Sequence, residues 1–176
     1  GTFIEPLACV VRGFRIAEFK PPGTVLILGC GIAGLLNIKL AQTLGATRII
    51  ATDINPYRLK MAEKIGADYT FNAKEDIPDK IKKCNEGELA DFVILCAGVP
   101  QAAQQAITTI KAGGILLLFA PTEPGITIPL DLFDIWNKQI KIVSTYAGAP
   151  VDIKEAIHYL QTKKITITDL ITHKLP

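Results

Sequence analysis

Paired cysteines, clustered histidines, long apolar runs and a charge excess are all missing from this chain, and each gap removes a class of function. The four cysteines, Cys9, Cys30, Cys84 and Cys96, include no CxxC pair. Neither a disulfide framework nor a cysteine-rich zinc site is written into that spacing. Small buried thiols in a reducing, cytoplasmic compartment are the plainer expectation. The two histidines, His158 and His173, lack the i, i+4 or cysteine-rich surroundings of metal ligands and read as structural. No apolar run approaches the roughly 18 residues of a membrane span, so no membrane partner is expected. Nineteen basic residues against 17 acidic ones give a net charge of +2, too little to attract nucleic acid. Lys80, Lys82 and Lys83 read as a solvated helix face. A GxSxG elbow and a P-loop lysine are also absent, which argues against hydrolase and P-loop chemistry.

What the chain does have is one strongly organised stretch. Residues 24–34 read TVLILGCGIAG: an apolar β-run, a glycine turn, then a helical pattern through Leu35, Leu36, Leu40 and Leu44. Strand, GxGxxG and helix in that order is the context of a dinucleotide fingerprint. Gly29 allows the tight turn off the strand. Gly31, without a Cβ, lets the backbone approach a diphosphate, and Gly34 lets the helix pack close to the sheet. Cys30, Ile32 and Ala33 complete the turn and the first helical amides, which are free to donate to phosphate. The next β-run, residues 48–52, ends in Asp53, followed by Ile54. Asp53 stands where a ribose-binding acid belongs, and its plain alternative is a cap for the following helix. A carboxylate there repels a 2′-phosphate and favours NAD over NADP. Arg58 complicates this, since a nearby arginine can accommodate that phosphate; its alternative is an exposed helix residue.

From residue 24 onward strands alternate with helices, so the expectation is one doubly wound α/β domain, a six-stranded parallel Rossmann sheet of order 3-2-1-4-5-6. The predicted strands are residues 24–28, 48–52, 69–71, 91–96, 115–119 and 140–144. Between the last three, a helix over 100–110 ends at Gly113-Gly114 and a short helix covers 130–137. A lead-in helix opened by Glu5-Pro6 precedes the sheet. A closing helix over 152–162 turns Ile153, Ala156, Ile157 and Leu160 inward, and the tail ITITDLITHKLP alternates like an exit strand. Trp136 and Tyr146 read as packing residues. Cys96, Ala97 and Gly98 fall at the carboxyl edge of the sheet, where ligands lie in open α/β folds, and their small size leaves room for a nicotinamide ribose.

Six stretches, EPLACVVRG, GCGIAGLL, ATDINPYRLKMAEKIGADYTFNA, DFVILCAG, KAGGILLLFA and ITDLITHKLP, run in order from Glu5 to Pro176. In this they resemble the nucleotide-binding half of the zinc-dependent medium-chain dehydrogenase/reductases, most of all the sorbitol and alcohol dehydrogenase branch. The resemblance implies a piece of a longer parent. Residues 1–22 would lead in from a catalytic domain, 23–149 form the NAD-binding domain, and 150–176 return toward it. It implies that Arg58 lies over the adenine, and that Ala120, Pro121, Ser144 and Thr145 approach the nicotinamide through backbone groups. Glu5 is implied near a catalytic zinc whose other ligands are absent here; within this chain alone it reads as a first-turn acid favoured by the helix dipole. The implied parent oxidises a secondary alcohol, such as a sugar alcohol, to a ketone with NAD and zinc, and associates through the edge strand of this domain near residues 119–132. Two other classes stay open: a non-catalytic nucleotide-sensing module, and an S-adenosylmethionine-dependent methyltransferase, which also follows its first strand with glycines.

Overall fold

The computed structural model describes residues 2–120 and 122–171. Seven α-helices and six strands are described: α1 (Ile4–Ala17), β1 (Thr24–Leu28), α2 (Ile32–Leu44), β2 (Arg48–Asp53), α3 (Pro56–Ile65), β3 (Tyr69–Asn72), α4 (Ile77–Cys84), β4 (Ala90–Leu95), α5 (Pro100–Thr108), β5 (Ile110–Leu118), α6 (Leu132–Asn137), β6 (Lys141–Ser144) and α7 (Pro150–Gln161). All neighbouring strands pair parallel, in the order β3-β2-β1-β4-β5-β6.

β1 lies inside the sheet and all five of its residues are buried. Its side chains alternate between two cores, as the period of a strand requires. Val25 and Ile27 join Leu7, Val10, Phe14, Leu36, Leu40 and Ala156 under α1, α2 and α7. Leu26 and Leu28 join Ile77, Ile81, Ala103 and Ala106 under α4 and α5. Local chemistry sets the helix ends. Asn55 caps α3 by accepting from the Tyr57 N–H, with Pro56 in its first turn, and Gly45 ends α2 in the left-handed region at φ 87°.

Several expectations need correction. β5 begins at Ile110, before the glycines, and α5 stops at Thr108. Gly113 and Gly114 form an irregularity inside β5: Ala90 pairs with Ile110 but Phe92 pairs with Ile115. Gly113 takes φ 73° there and donates its N–H to the Lys138 carbonyl at 2.7 Å. In α7, Ile153 is exposed, Ile157 and Leu160 are only partly covered, and the inward positions go to Asp152, Ala156 and Tyr159. Asp152 is tolerated inside because Arg15 grips it, Nε to Oδ1 at 2.7 Å and Nη2 to Oδ2 at 3.0 Å. The exit segment is a 3₁₀ turn at Thr168–Leu170, fixed by Lys39 Nζ on Asp169 at 2.7 Å, not a strand; residues 172–176, with His173, lie outside the described residues. Trp136 is 73% and Tyr146 93% exposed, so neither is a core residue, and Trp136 meets only the exposed Phe133 ring, centroids 5.8 Å apart, among the described aromatic contacts. The free edge on that side is β6, since residues 122–131 hold no strand. His158 is exposed, as expected.

Candidate functional site

Parallel pairing brings the carboxyl ends of β1, β2 and β4 level: Leu28 stands opposite both Thr52 and Leu95. The chain leaves β1 toward one face and β4 toward the other, and a cleft of about 740 Å³ opens at this divide. Its lining includes Gly29, Gly31, Asp53, Ile54, Arg58, Cys96, Ala97 and Gly98, eight of the expected residues.

The three glycines meet different surroundings. Gly29 adopts φ 102°, a conformation most side chains avoid. A Cβ on Gly34 would sit 1.9 Å from the Gly29 carbonyl oxygen, so the start of α2 rests directly on the turn. A Cβ on Gly31 would meet nothing within 4 Å. Its φ of −68° suits any residue, so the empty space, not the backbone, is what the missing side chain provides. Gly31 is also the N-cap of α2, and no side chain caps that end. The first-turn amides therefore have no intrahelical acceptor, and Gly31, which leads into them, lines the cleft.

Asp53 is held rigidly beside them. Its Oδ2 accepts the Cys30 N–H at 2.8 Å and its Oδ1 accepts the Asn55 N–H at 2.8 Å. A carboxylate offers about four lone-pair sites. Two are used, and one on each oxygen remains, enough for two hydroxyl donors. Arg58 Nη1 stands 3.8 Å from Oδ2, too far for a hydrogen bond, and its side chain is half exposed. The two readings of Asp53 thus meet: it supports the turn into α3, yet Asn55 is the cap and the carboxylate keeps capacity for a ligand.

The remaining expected residues fall outside the cleft lining. Cys30 is buried and serves through its N–H; burial, then the Asp53 charge, pushes its thiol up to about 12. Burial also raises the Cys96 thiol, so both stay protonated and unreactive at neutral pH. Ile32 and Ala33 form the first turn of α2. Ser144 ends β6, and Ala120 and Thr145 sit just beyond β5 and β6 on the same sheet edge, with Ala120 N–H on the Leu95 carbonyl at 2.8 Å and Thr145 N–H on the Leu118 carbonyl at 3.3 Å. Pro121 lies outside the described residues. The sequence reasoning missed Leu28, Thr52, Ala73, Lys74, Val99, Gln101, Ala102 and Gln105. The carboxyl-edge rule, applied to β3 as it was to β4, points to Ala73 and Lys74. Gln101 and Gln105 follow from one turn of α5.

Glu5 accepts from the Cys9 thiol at 3.2 Å. Burial and this carboxylate push that thiol up to about 11. Among the described residues no three His, Cys, Asp or Glu side chains gather as a metal site. The residues present therefore do not fit a zinc ion by themselves, whereas the Gly31 opening, the uncapped α2 and Asp53 fit a dinucleotide.

Residues 33–162 match the family described as zinc-binding dehydrogenase. The chain belongs to that family. It is 31% identical to sheep (Ovis aries) sorbitol dehydrogenase over 180 residues, covering 100% of this chain and 50% of the relative, and 29% identical to the chicken (Gallus gallus) enzyme with the same coverage. Among solved structures, a protein of Sinorhizobium meliloti 1021 described as a zinc-binding dehydrogenase and bound to NADP superposes with a TM-score of 0.90 at 30% identity, covering 97% of this chain and 50% of that one. The chain spans about half the length of the curated relatives it matches. None of its described helices is long and apolar enough to cross a membrane.

Proposed function

We propose that this chain is the cofactor-binding half of an NAD-dependent, zinc-containing alcohol or polyol dehydrogenase, one that oxidises a secondary alcohol to a ketone. Bound NAD supplies the hydride acceptor. The chain's own residues bind and orient it. The α2 amides take the diphosphate over Gly31, and the two free sites of Asp53 take the adenosine ribose hydroxyls. Arg58 lies over the adenine, where cation–π attraction favours it, while Ala97 and Gly98 leave space for the nicotinamide ribose. The carrying observation is the empty Cβ position of Gly31 beside a carboxylate with two unused acceptors. The zinc of the family description belongs, in this reading, to a catalytic domain of the parent, which α1 and α7 would adjoin, and Glu5 faces it. The parent works in the cytoplasm, consistent with four free cysteines, and forms a homo-oligomer through the exposed β6 and α6 flank.

Gly31→Leu tests the reading. The backbone there suits any residue and a Cβ meets no atom within 4 Å, so the variant should fold, losing only about 1 kcal/mol with the glycine N-cap. The leucine fills the diphosphate space, and calorimetric titration should show NAD affinity falling by at least about 100-fold, ~2.7 kcal/mol. Unchanged affinity in the folded variant, or tighter binding of S-adenosylmethionine than of NAD by the parent sequence, overturns the assignment. The similar S. meliloti protein was solved with NADP, so the ribose 2′ position is the next point to resolve.

A further inference from the structure

Two cations and one carboxylate line the adenosine end of the cleft: Arg58, Lys74 and Asp53. Lys74 springs from a tight turn at the end of β3, whose last residue, Asn72, pairs with Asp53. The turn is fixed from several sides. Ala73 N–H donates to the Asp53 carbonyl at 3.1 Å, Lys74 N–H to Asn72 Oδ1 at 3.0 Å, and Glu75 N–H to the Asn72 carbonyl at 2.9 Å. From α5, the Gln105 amide reaches the Ala73 carbonyl at 3.1 Å. The backbone carrying Lys74 is thus as firmly placed as Asp53 itself.

Both cations are unspent. Lys74 is exposed and forms no ion pair among the described residues. The nearest acid in sequence, Glu75, is drawn the other way: it pairs with Lys80 at 2.7 Å and accepts the Asn72 N–H at 3.0 Å. That Lys80 contact holds the Glu75 carboxyl below its ordinary range. Arg58 has only the long approach to Asp53. Asp53, in turn, is held by two main-chain N–H groups and cannot swing out to neutralise either cation.

We propose that Lys74, together with Arg58, forms an anion subsite for a ribose 2′-phosphate, so that this cleft accepts NADP as well as NAD. This rests on the dinucleotide reading above and modifies its preference. The like-charge repulsion between Asp53 and the phosphate remains, but two positive groups offset it. Lys74 is thereby a specificity-determining residue: it touches the phosphate of one cofactor and nothing in the other.

Titration of NAD, NADP and the fragment 2′,5′-ADP into the full chain and into Lys74→Ala decides the matter. Lys74 is on the surface, so the substitution leaves folding intact. The parent sequence should bind NADP within about tenfold of NAD. Lys74→Ala should weaken NADP and 2′,5′-ADP by about tenfold while NAD stays within about twofold, and Lys74→Arg should restore the NADP affinity. Equal changes for both cofactors, or none for NADP, overturn the subsite while leaving the dinucleotide reading in place. No binding of NAD by the parent sequence overturns both.

Discussion

β1 has a neighbour on each side and a core on each face, whereas β6 has one neighbour and one covered face. On β6, Val143 packs toward the α1 and α7 side, but Lys141, Ile142 and Ser144 are exposed. The helix that enters it, α6, buries none of its residues and leaves Leu132, Phe133 and Trp136 at least 70% exposed. Both regions are rich in apolar residues. The first spends them within the chain, and the second leaves them facing outward. The comparison teaches that the cleft is built on the part of the fold that completes itself, so ligand geometry is fixed by packing, and the flank is where the chain has surface to share.

The sharpest way to break this contrast is at Gly34. A methyl there lands 1.9 Å from the Gly29 carbonyl oxygen, inside the region where nothing can move. Gly34→Ala should cost more than about 3 kcal/mol of stability, or prevent folding, because α2 must lift off the sheet. Gly31→Ala, three residues earlier, meets no atom within 4 Å and should cost under about 1 kcal/mol, the loss of a fair N-cap. Urea titrations of the two variants measure the gap. A Gly34→Ala protein as stable as Gly31→Ala would mean that the turn is not rigid.

Between the two regions lies Asp152, which ties α7 to α1. Its carboxylate is fully buried, accepts from Arg15 and from the Ala149 N–H at 2.8 Å, and stands 3.6 Å from Arg12 Nη1. The hydrogen bond from Arg15, foremost among the causes, holds its carboxyl below the ordinary value of 3.8. A depressed folded value means that the unfolded chain binds the proton more readily. The carboxylate's contribution is therefore complete above the unfolded value, about 3.9, and disappears as pH falls through the lower folded one. Asp152→Asn should cost about 2 kcal/mol at pH 7, less than the 3–5 of a fully buried pair because Arg15 is half exposed and can regain water. The difference between the two proteins should shrink as pH falls below about 4. A constant difference down to pH 2 would show that packing, not charge, is what the substitution removes.

The same contrast explains what could be read from the sequence. Strand order, the glycine turn and the place of Asp53 at the end of β2 were legible because each rests on local chemistry or on a regular period. β1 and β4 were legible because strands covered on both faces are apolar throughout. Asp152 was not, since an acid on the buried stripe of a helix makes sense only once Arg15, far away in sequence, is seen beside it. Lys74 was missed because the carboxyl-edge rule was not carried to β3, whereas the contact of Gln105 with the turn after β3 exists only in the folded chain. Trp136 was misplaced because α6 is a short helix, too short for its period to show which side faces in, so residue type alone suggested packing.

That misplacement leads to the smallest predicted effect and the most direct test of the flank. Trp136 is 73% exposed, so Trp136→Ser should alter the stability of the isolated monomer by under about 0.5 kcal/mol. Association gives a different signature. If a second copy covers α6 and β6, stability rises with protein concentration, because the pairing favours the folded state by mass action. Melting curves over a hundredfold range of concentration should then rise for the parent sequence and stay flat for Trp136→Ser. Flat curves for both would leave the flank without a like partner, and a large loss in the dilute variant would mean that Trp136 is packed against its own chain. Either result would remove the distinction between a self-completed half of the sheet and an open one.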